Sequence, residues 1–151
     1  IKMLTDTGGL RIGMKFHPMM SVLKFDNIVS FFNDIRCDME IIDEPVDKIL
    51  SQYSLLITMA SGVIFESIVE GLPVIRVGHS NSLNFDPADY IANNSYDFRA
   101  QTVGQLNKLI SKLLLMGDEE RIEVLKFGRK CVKELFSPVN ENTLRSFIGI
   151  N

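Results

Sequence analysis

Hydrophobic positions along the chain change period several times, and the changes mark alternating strands and helices. Leu10, Ile12, Met14 and Phe16 alternate with Arg11, Gly13, Lys15 and His17, the two-residue period of a first strand that ends at His17 and Pro18. The preceding segment, Ile1 to Gly9, is aperiodic, holds the Gly8–Gly9 pair, and reads as a loop or linker. Val22, Ile28, Val29, Phe32 and Ile35 keep a helical stripe interrupted near Phe25 and Asp26, which predicts a loop and then a helix from about Asn27. A short strand over Glu40 to Ile42 follows. Pro45 then suits a first helical position before Val46, Ile49, Leu50 and Tyr53.

The run SLLITMASGVIFESIVEGLPVIRVG, Ser54 to Gly78, organises the rest. Leu55, Leu56 and Ile57 lack helical period and predict a buried strand; Ala60, Ser61 and Gly62 break it; the next apolar segment has helical period. Ser61 is a good N-cap, and Gly71 suits the left-handed position after a helix. Pro73 leads into Val74, Ile75 and Val77, a second buried strand. Strand, crossover helix and strand make a βαβ unit with parallel pairing. Gly78 to Ser95 is polar and aperiodic, Tyr96 to Arg99 reads as an edge strand, and two amphipathic helices follow. The first carries Val103, Leu106, Ile110, Leu113 and Leu114 and closes at Gly117. The second is capped by Asp118, turns Ile122, Leu125, Val132 and Leu135 inward, and holds Gly128 as a place for close helix packing. Ser137 and Pro138 end it, and residues 137–151 form a tail with a short helix over Asn140 to Phe147. The pattern predicts an α/β domain over residues 1–151, with an open, mostly parallel sheet of about five strands and helices on both faces.

Composition narrows the functional classes. With 151 residues, 46% of them hydrophobic, the chain can bury a sizeable core, and its net charge of −3 gives no basic footprint for nucleic acid or an anionic membrane. No apolar run reaches the length of a membrane span, so no integral membrane segment is expected. The chain starts at Ile1, lacks the zones of a signal peptide, and reads as a piece of something longer. Cys37 and Cys131 read as free, buried thiols, with a single bridge as the alternative. His17 and His79 are the only histidines, and without a His/Cys cluster or a DxD motif no metal is expected.

The candidate chemistry lies at the start of the ASG helix. Gly62 has no side chain to keep a ligand from the backbone, and the first turn presents N–H groups at the positive end of the helix dipole, which suits phosphate. Glu66, four residues on and on the same face, can accept hydrogen bonds from a ribose diol. A capped amphipathic helix with one solvated glutamate explains the same spacing, and both readings stand. His17 stands at a strand's carboxyl end, where ligands collect in open parallel sheets. It reads either as a group stabilising charge on a leaving phosphate or as a histidine bonded to a nearby carbonyl. Lys15 and Arg76 could neutralise phosphate or snorkel at a sheet edge. His79 could face a base or sugar, and Asn81 and Ser82 a sugar hydroxyl or only solvent; Glu70, at a helix end, reads as solvated. Ser61 lacks the partners of a nucleophile and serves as a cap.

Ser61, Gly62 and Glu66 followed by EGLPVIRVG resemble the donor-nucleotide motif in the C-terminal domain of GT-B glycosyltransferases. Related segments occur in nonhydrolysing nucleotide-sugar epimerases and in polyol phosphate transferases. His17 and Pro18 in KFHP resemble the HP motif of bacterial sialyltransferases and polyol phosphate transferases, where the histidine contacts the donor phosphate. The resemblance is specific over Ser61 to Gly71, suggestive at His17 and Pro18, and loose elsewhere. It implies a Rossmann-like donor-binding domain, the C-terminal half of a two-domain transferase in bacterial surface polysaccharide biosynthesis, with the acceptor domain preceding it. The implied donor is a UDP-sugar, CMP-sugar or CDP-polyol, bound by Ser61, Gly62, Glu66, Pro18 and His79, with His17 catalytic and no separate cofactor. The implied location is cytoplasmic, with peripheral attachment at the inner membrane face through the other domain left open, and the isolated domain is expected to bind donor without turnover. Two alternatives stand beside this: an epimerase-like domain, although Val63 and Phe65 replace the glycine and glutamine usual there, and a non-catalytic domain binding a partner protein through its terminal helix.

Overall fold

The computed structural model describes residues 11–17, 21–34, 39–59, 61–78, 98–136, 140 and 142–143. The chain divides into two compact units, Ile1–Pro45 and Val46–Asn151. In the first, β1 (Ile12–Met14) and β2 (Met39–Ile41) pair in parallel, with Gly13 opposite Glu40, and helix α1 (Val22–Asp34) lies between them in sequence. The ladder is continued by Ile42 N–H donating to the Met14 carbonyl at 2.9 Å, and Lys15 Nζ donates to the Asp43 carbonyl at 3.3 Å. Helix α1 begins five residues before the expected Asn27 and runs through Phe25 and Asp26 without a break. The gap in the apolar stripe is a change of face. Asp26 is exposed, whereas the half-buried Phe25 packs edge-on against Phe16, with ring centroids 4.7 Å apart.

The second unit opens with α2 (Val46–Ile49) and a 3₁₀ turn (Leu50–Gln52) that buries Ile49 and Leu50. Strands β3 (Leu56–Thr58), β4 (Val74–Val77) and β5 (Phe98–Ala100) form a parallel sheet in the order β3-β4-β5, with α3 (Val63–Val69) as the crossover between the first two. Pro73, which has no N–H to offer a ladder, sits just before β4 and accepts from Leu56 N–H at 3.0 Å. One face of the sheet presents Leu56 and Val74 to Ile64 and Ile68 of α3. The other presents Ile75, Phe98 and Ala100, all buried, with α4 (Val103–Leu114) packed on β4 and β5 and Lys112 Nζ lying 5.5 Å from the Phe98 ring centre. A capping box starts α4: Thr102 Oγ1 accepts from Gln105 N–H and Gln105 Oε1 from Thr102 N–H, both at 3.2 Å.

All five strands are thus present and parallel, within one or two residues of their expected places. They do not form the single expected sheet among the described residues: two belong to one ladder and three to another. Periodicity locates strands and carries no information about which strands exchange hydrogen bonds.

Helix α5 (Asp118–Leu135) crosses α3, and its contact line is the expected one only in part: Gly128 lies at the crossing and Leu125 and Val132 are half-buried, but Ile122 and Leu135 are not turned inward. Val124, Gly128 and Cys131 are buried, while Ile122 and Leu135 are 48% and 40% exposed. Gly128 sets this rotation. A Cβ built on it would run into the Ile68 carbonyl oxygen and lie 2.5 Å from that carbonyl carbon, so the two backbones meet directly and the residues flanking glycine become the buried face. Gly71 ends the α3 turn with φ +77°, as its place in the sequence predicts, and an added Cβ there would come within 3.2 Å of Leu125. The expected terminal helix falls almost wholly outside the described residues; Thr143 N–H donates to Asn140 Oδ1 at 3.1 Å, a bond of helix-start type. No helix among the described residues is long and apolar enough to cross a membrane.

Two outcomes follow from this packing. Gly128→Ala must push α5 off the α3 backbone and is expected to lower the stability of the fold by about 1–3 kcal/mol, read as a fall in the urea midpoint at unchanged m-value; an unshifted midpoint contradicts the close contact. Cys131 is a free, buried thiol whose pKa is pushed up by burial first and by Glu134 second. The fold keeps this proton after the unfolded chain has lost it, so the thiol's contribution to stability is complete below its ordinary value of 9.0 and is lost at higher pH. Cys131→Ala should flatten that alkaline loss when the two proteins are melted side by side.

Candidate functional site

The turn from β3 into α3 lies at the carboxyl end of its strand, where an open parallel sheet leaves room for ligands. Ser61 and Gly62 make the turn, and Gly62 is the residue before the first helical one. The first turn is tight. Ile64 N–H donates to the Ser61 carbonyl at 3.3 Å and Phe65 N–H to the Gly62 carbonyl at 3.1 Å, both spanning three residues as in a 3₁₀ turn. Val63 N–H donates to Ser61 Oγ at 3.4 Å, a long bond within the turn; the N-cap position itself falls on Gly62, one residue later than the sequence predicts, and no side chain caps the helix. An anion at this turn would draw on the Ser61 hydroxyl proton and on the Val63 amide, whose long neutral bond is easily exchanged for a charge-assisted one.

Glu66 is exposed on the same stretch of helix as the exposed Gly62, while Ile64, Ser67 and Ile68 face inward. Ser67 is fully buried and spends its hydroxyl on the Val63 carbonyl at 2.9 Å, so it belongs to the helix and not to the site. The half-buried Phe65 packs edge-on with Phe136 at 5.2 Å. Phe136, 51% exposed at the end of α5, went unremarked in the sequence because an aromatic beyond a helix end carries no periodic signal.

Gly62 is informative because neither its conformation nor any neighbour among the described residues requires it. Its φ of −61° is open to any residue, and a Cβ built there meets nothing within 4 Å. Gly71 and Gly128 are demanded by conformation and by packing; Gly62 only leaves space outside the helix start.

His17 is exposed and follows β1 in the first unit, next to the anchored Phe16. Pro18 and His79 lie outside the described residues, as do Asn81 and Ser82. The structure therefore brings Ser61, Gly62 and Glu66 together on one turn and describes His17 within the other unit. Lys15 is engaged with the Asp43 carbonyl. Of the two readings of Arg76, neutralising phosphate or snorkelling at a sheet edge, the edge does not hold, since it lies on the central strand of its sheet and is only 5% exposed. The signal was there to read: one arginine inside the apolar run of Val74, Ile75 and Val77.

A shallow cavity of 320 Å³ opens at the opposite, amino end of the three-stranded sheet, lined by Tyr53, Glu70, Leu72, Arg121, Ile122 and Leu125 among others. Arg121 Nη1 there donates to the Ser54 carbonyl at 3.3 Å, tying α5 to the segment before β3. The cavity includes none of the candidate binding residues. No group of three or more potential metal-ligating side chains occurs among the described residues.

No family model, curated protein or solved structure matches the chain.

Because Gly62 serves neither conformation nor packing, Gly62→Ala is expected to keep the melting behaviour of the ligand-free protein within about 1 kcal/mol of the parent. Loss of several kcal/mol in a denaturant titration would mean that the glycine is structural after all.

Proposed function

We propose that this chain is the nucleotide-donor-binding domain of a GT-B-like transferase in bacterial surface polysaccharide biosynthesis. Ser61, Gly62 and the opening of α3 hold the donor phosphates, Glu66 accepts hydrogen bonds from the ribose hydroxyls, and Pro18 and His79 complete the binding set. His17 donates a hydrogen bond or a positive charge to the phosphate that leaves with the nucleoside as the bond to the sugar or polyol breaks, an electrostatic role that needs no metal. The acceptor is held by a second domain, so the chain alone binds donor with little or no transfer, in the cytoplasm. The reading includes the finer architecture of one open Rossmann-like sheet.

The single observation that supports it most is the glycine at the start of α3, over which no described residue packs, with an exposed carboxylate one turn along. Glycine is at home at a helix N-cap, and here it also leaves the helix start uncovered by any described side chain, so that a ligand can press against the backbone.

The test is a melting-temperature screen with UDP, CDP, CMP and GDP. A nucleotide at 100 times its dissociation constant is expected to add roughly 2.7 kcal/mol of stability. Glu66→Ala and Gly62→Ala should abolish most of that gain while melting like the parent in its absence, and His17→Ala should reduce it. If no nucleotide shifts the transition at millimolar concentration, the function assigned here is wrong.

A further inference from the structure

The cavity at the amino end of the three-stranded sheet is walled by segments of the second unit that are far apart in sequence. The 3₁₀ turn brings Leu50, the turn after α3 brings Leu72, and α5 brings Ile122 and Leu125. Leu50 and Leu72 are buried, so the floor belongs to the core, whereas Leu125 is half-buried and Ile122 is exposed, so the α5 wall meets solvent. A volume of 320 Å³ lies at the small end of ligand pockets, which are mostly apolar with a few polar groups that fix orientation.

Two opposite charges line this apolar space without meeting. Glu70, exposed at the end of α3, and Arg121, half-buried on α5, form no ion pair with each other among the described residues, and the Glu70 carboxylate accepts no hydrogen bond there. Arg121 is held in place by one side-chain bond, from Nη1 to the Ser54 carbonyl at 3.3 Å. That bond engages one donor of a fork with five. A guanidinium oriented by a backbone carbonyl and keeping donors in reserve receives a carboxylate, and a carboxylate on the same cavity receives an ammonium.

We infer that this cavity binds a free aliphatic α-amino acid, with its carboxylate on Arg121, its ammonium on Glu70 and its side chain on Leu50, Leu72, Ile122 and Leu125. The ligand has to carry both charges, because one alone leaves the other lining group without a partner. It has to carry them close together, because the space is small. An aliphatic side chain suits walls of leucine and isoleucine. The site lies at the other end of α3 from the Ser61–Gly62 turn and shares no residue with it, so nothing about it depends on the nucleotide reading.

The experiment is a calorimetric titration of the whole chain at neutral pH with L-leucine, with N-acetyl-L-leucine, which lacks the ammonium, and with L-leucinamide, which lacks the carboxylate. The parent should bind L-leucine saturably at millimolar concentration or below, and each derivative at least fivefold more weakly. Glu70→Gln, at an exposed position where the fold is safe, should weaken L-leucine at least fivefold and no longer distinguish it from N-acetyl-L-leucine. Arg121→Gln should lose the preference for L-leucine over L-leucinamide. Its melting curve reports whether loss of the Ser54 bond disturbs the fold, and where it does, Glu70→Gln decides the outcome. Glu123→Gln, exposed on α5 and outside the cavity, should bind as the parent does. Absence of saturable L-leucine binding, derivatives that bind as tightly as L-leucine, or a Glu70→Gln protein with the parent's affinity each overturns the site.

Discussion

The direct meeting of two helix backbones, α5 at Gly128 against α3 at Ile68, is the constraint on which the second unit turns. Helix α3 has seven residues, too few to persist through its own hydrogen bonds, and Val63, Ile64, Ile68 and Val69 are β-branched. It holds its place because it is packed from two sides. Ile64 and Ile68 bear on Leu56 and Val74 of the sheet, and α5 lies against its back. The orientation of the ASG turn is therefore set by a glycine some sixty positions later in the chain, at residue 128.

Three glycines in this unit have three different causes. Gly71 takes a backbone conformation that other residues avoid, and Gly128 clears the way for a carbonyl; substituting either strains the fold. Gly62 does neither. Its emptiness faces outward at the carboxyl end of β3, on elements whose other polar groups are already committed: Ser67 to the Val63 carbonyl, and the Ile64 and Phe65 amides to the turn itself. What remains available is the Ser61 hydroxyl, a weakly held Val63 amide and the Glu66 carboxylate. That is a small inventory, and it is enough to contact an anion and a diol at once.

The alternation of strands and helices was legible in the periodicity, and the left-handed Gly71 and the close approach at Gly128 in the placing of the glycines, whereas the cap expected at Ser61 falls on Gly62. Three features were hidden wholly or in part, each for a physical reason. The break at Phe25 and Asp26 looked like a loop because a polar residue on the solvent side interrupts an apolar stripe without interrupting a helix. The buried face of α5 was legible only in part, because hydrophobicity brings Ile122 and Leu135 inward with Leu125 and Val132, whereas the contact at Gly128 turns Val124 and Cys131 toward the interior. Strand pairing was not visible at all, since three-residue strands such as Leu56–Thr58 carry too few positions to encode a neighbour. Around the candidate site, the sequence placed Ser61, Gly62 and Glu66 on one turn and left Arg76 open between neutralising phosphate and a sheet edge, of which the structure contradicts the edge.

Arg76 places one buried charge inside an otherwise apolar strand. For stability alone, a valine there would continue the run of Val74, Ile75 and Val77, and replacing buried ionic groups by packed apolar ones is often neutral or favourable by about 1–4 kcal/mol. The fold instead keeps a buried cation opposite a second arginine, while all other residues of β4 are apolar. Leu56 and Val74 close the interior beneath α3, and from the next row on the same face turns polar. On this face the change from apolar to polar thus falls between adjacent rows of β3 and β4, whereas on the other face burial continues through Ile75, Phe98 and Ala100 to the end of β5.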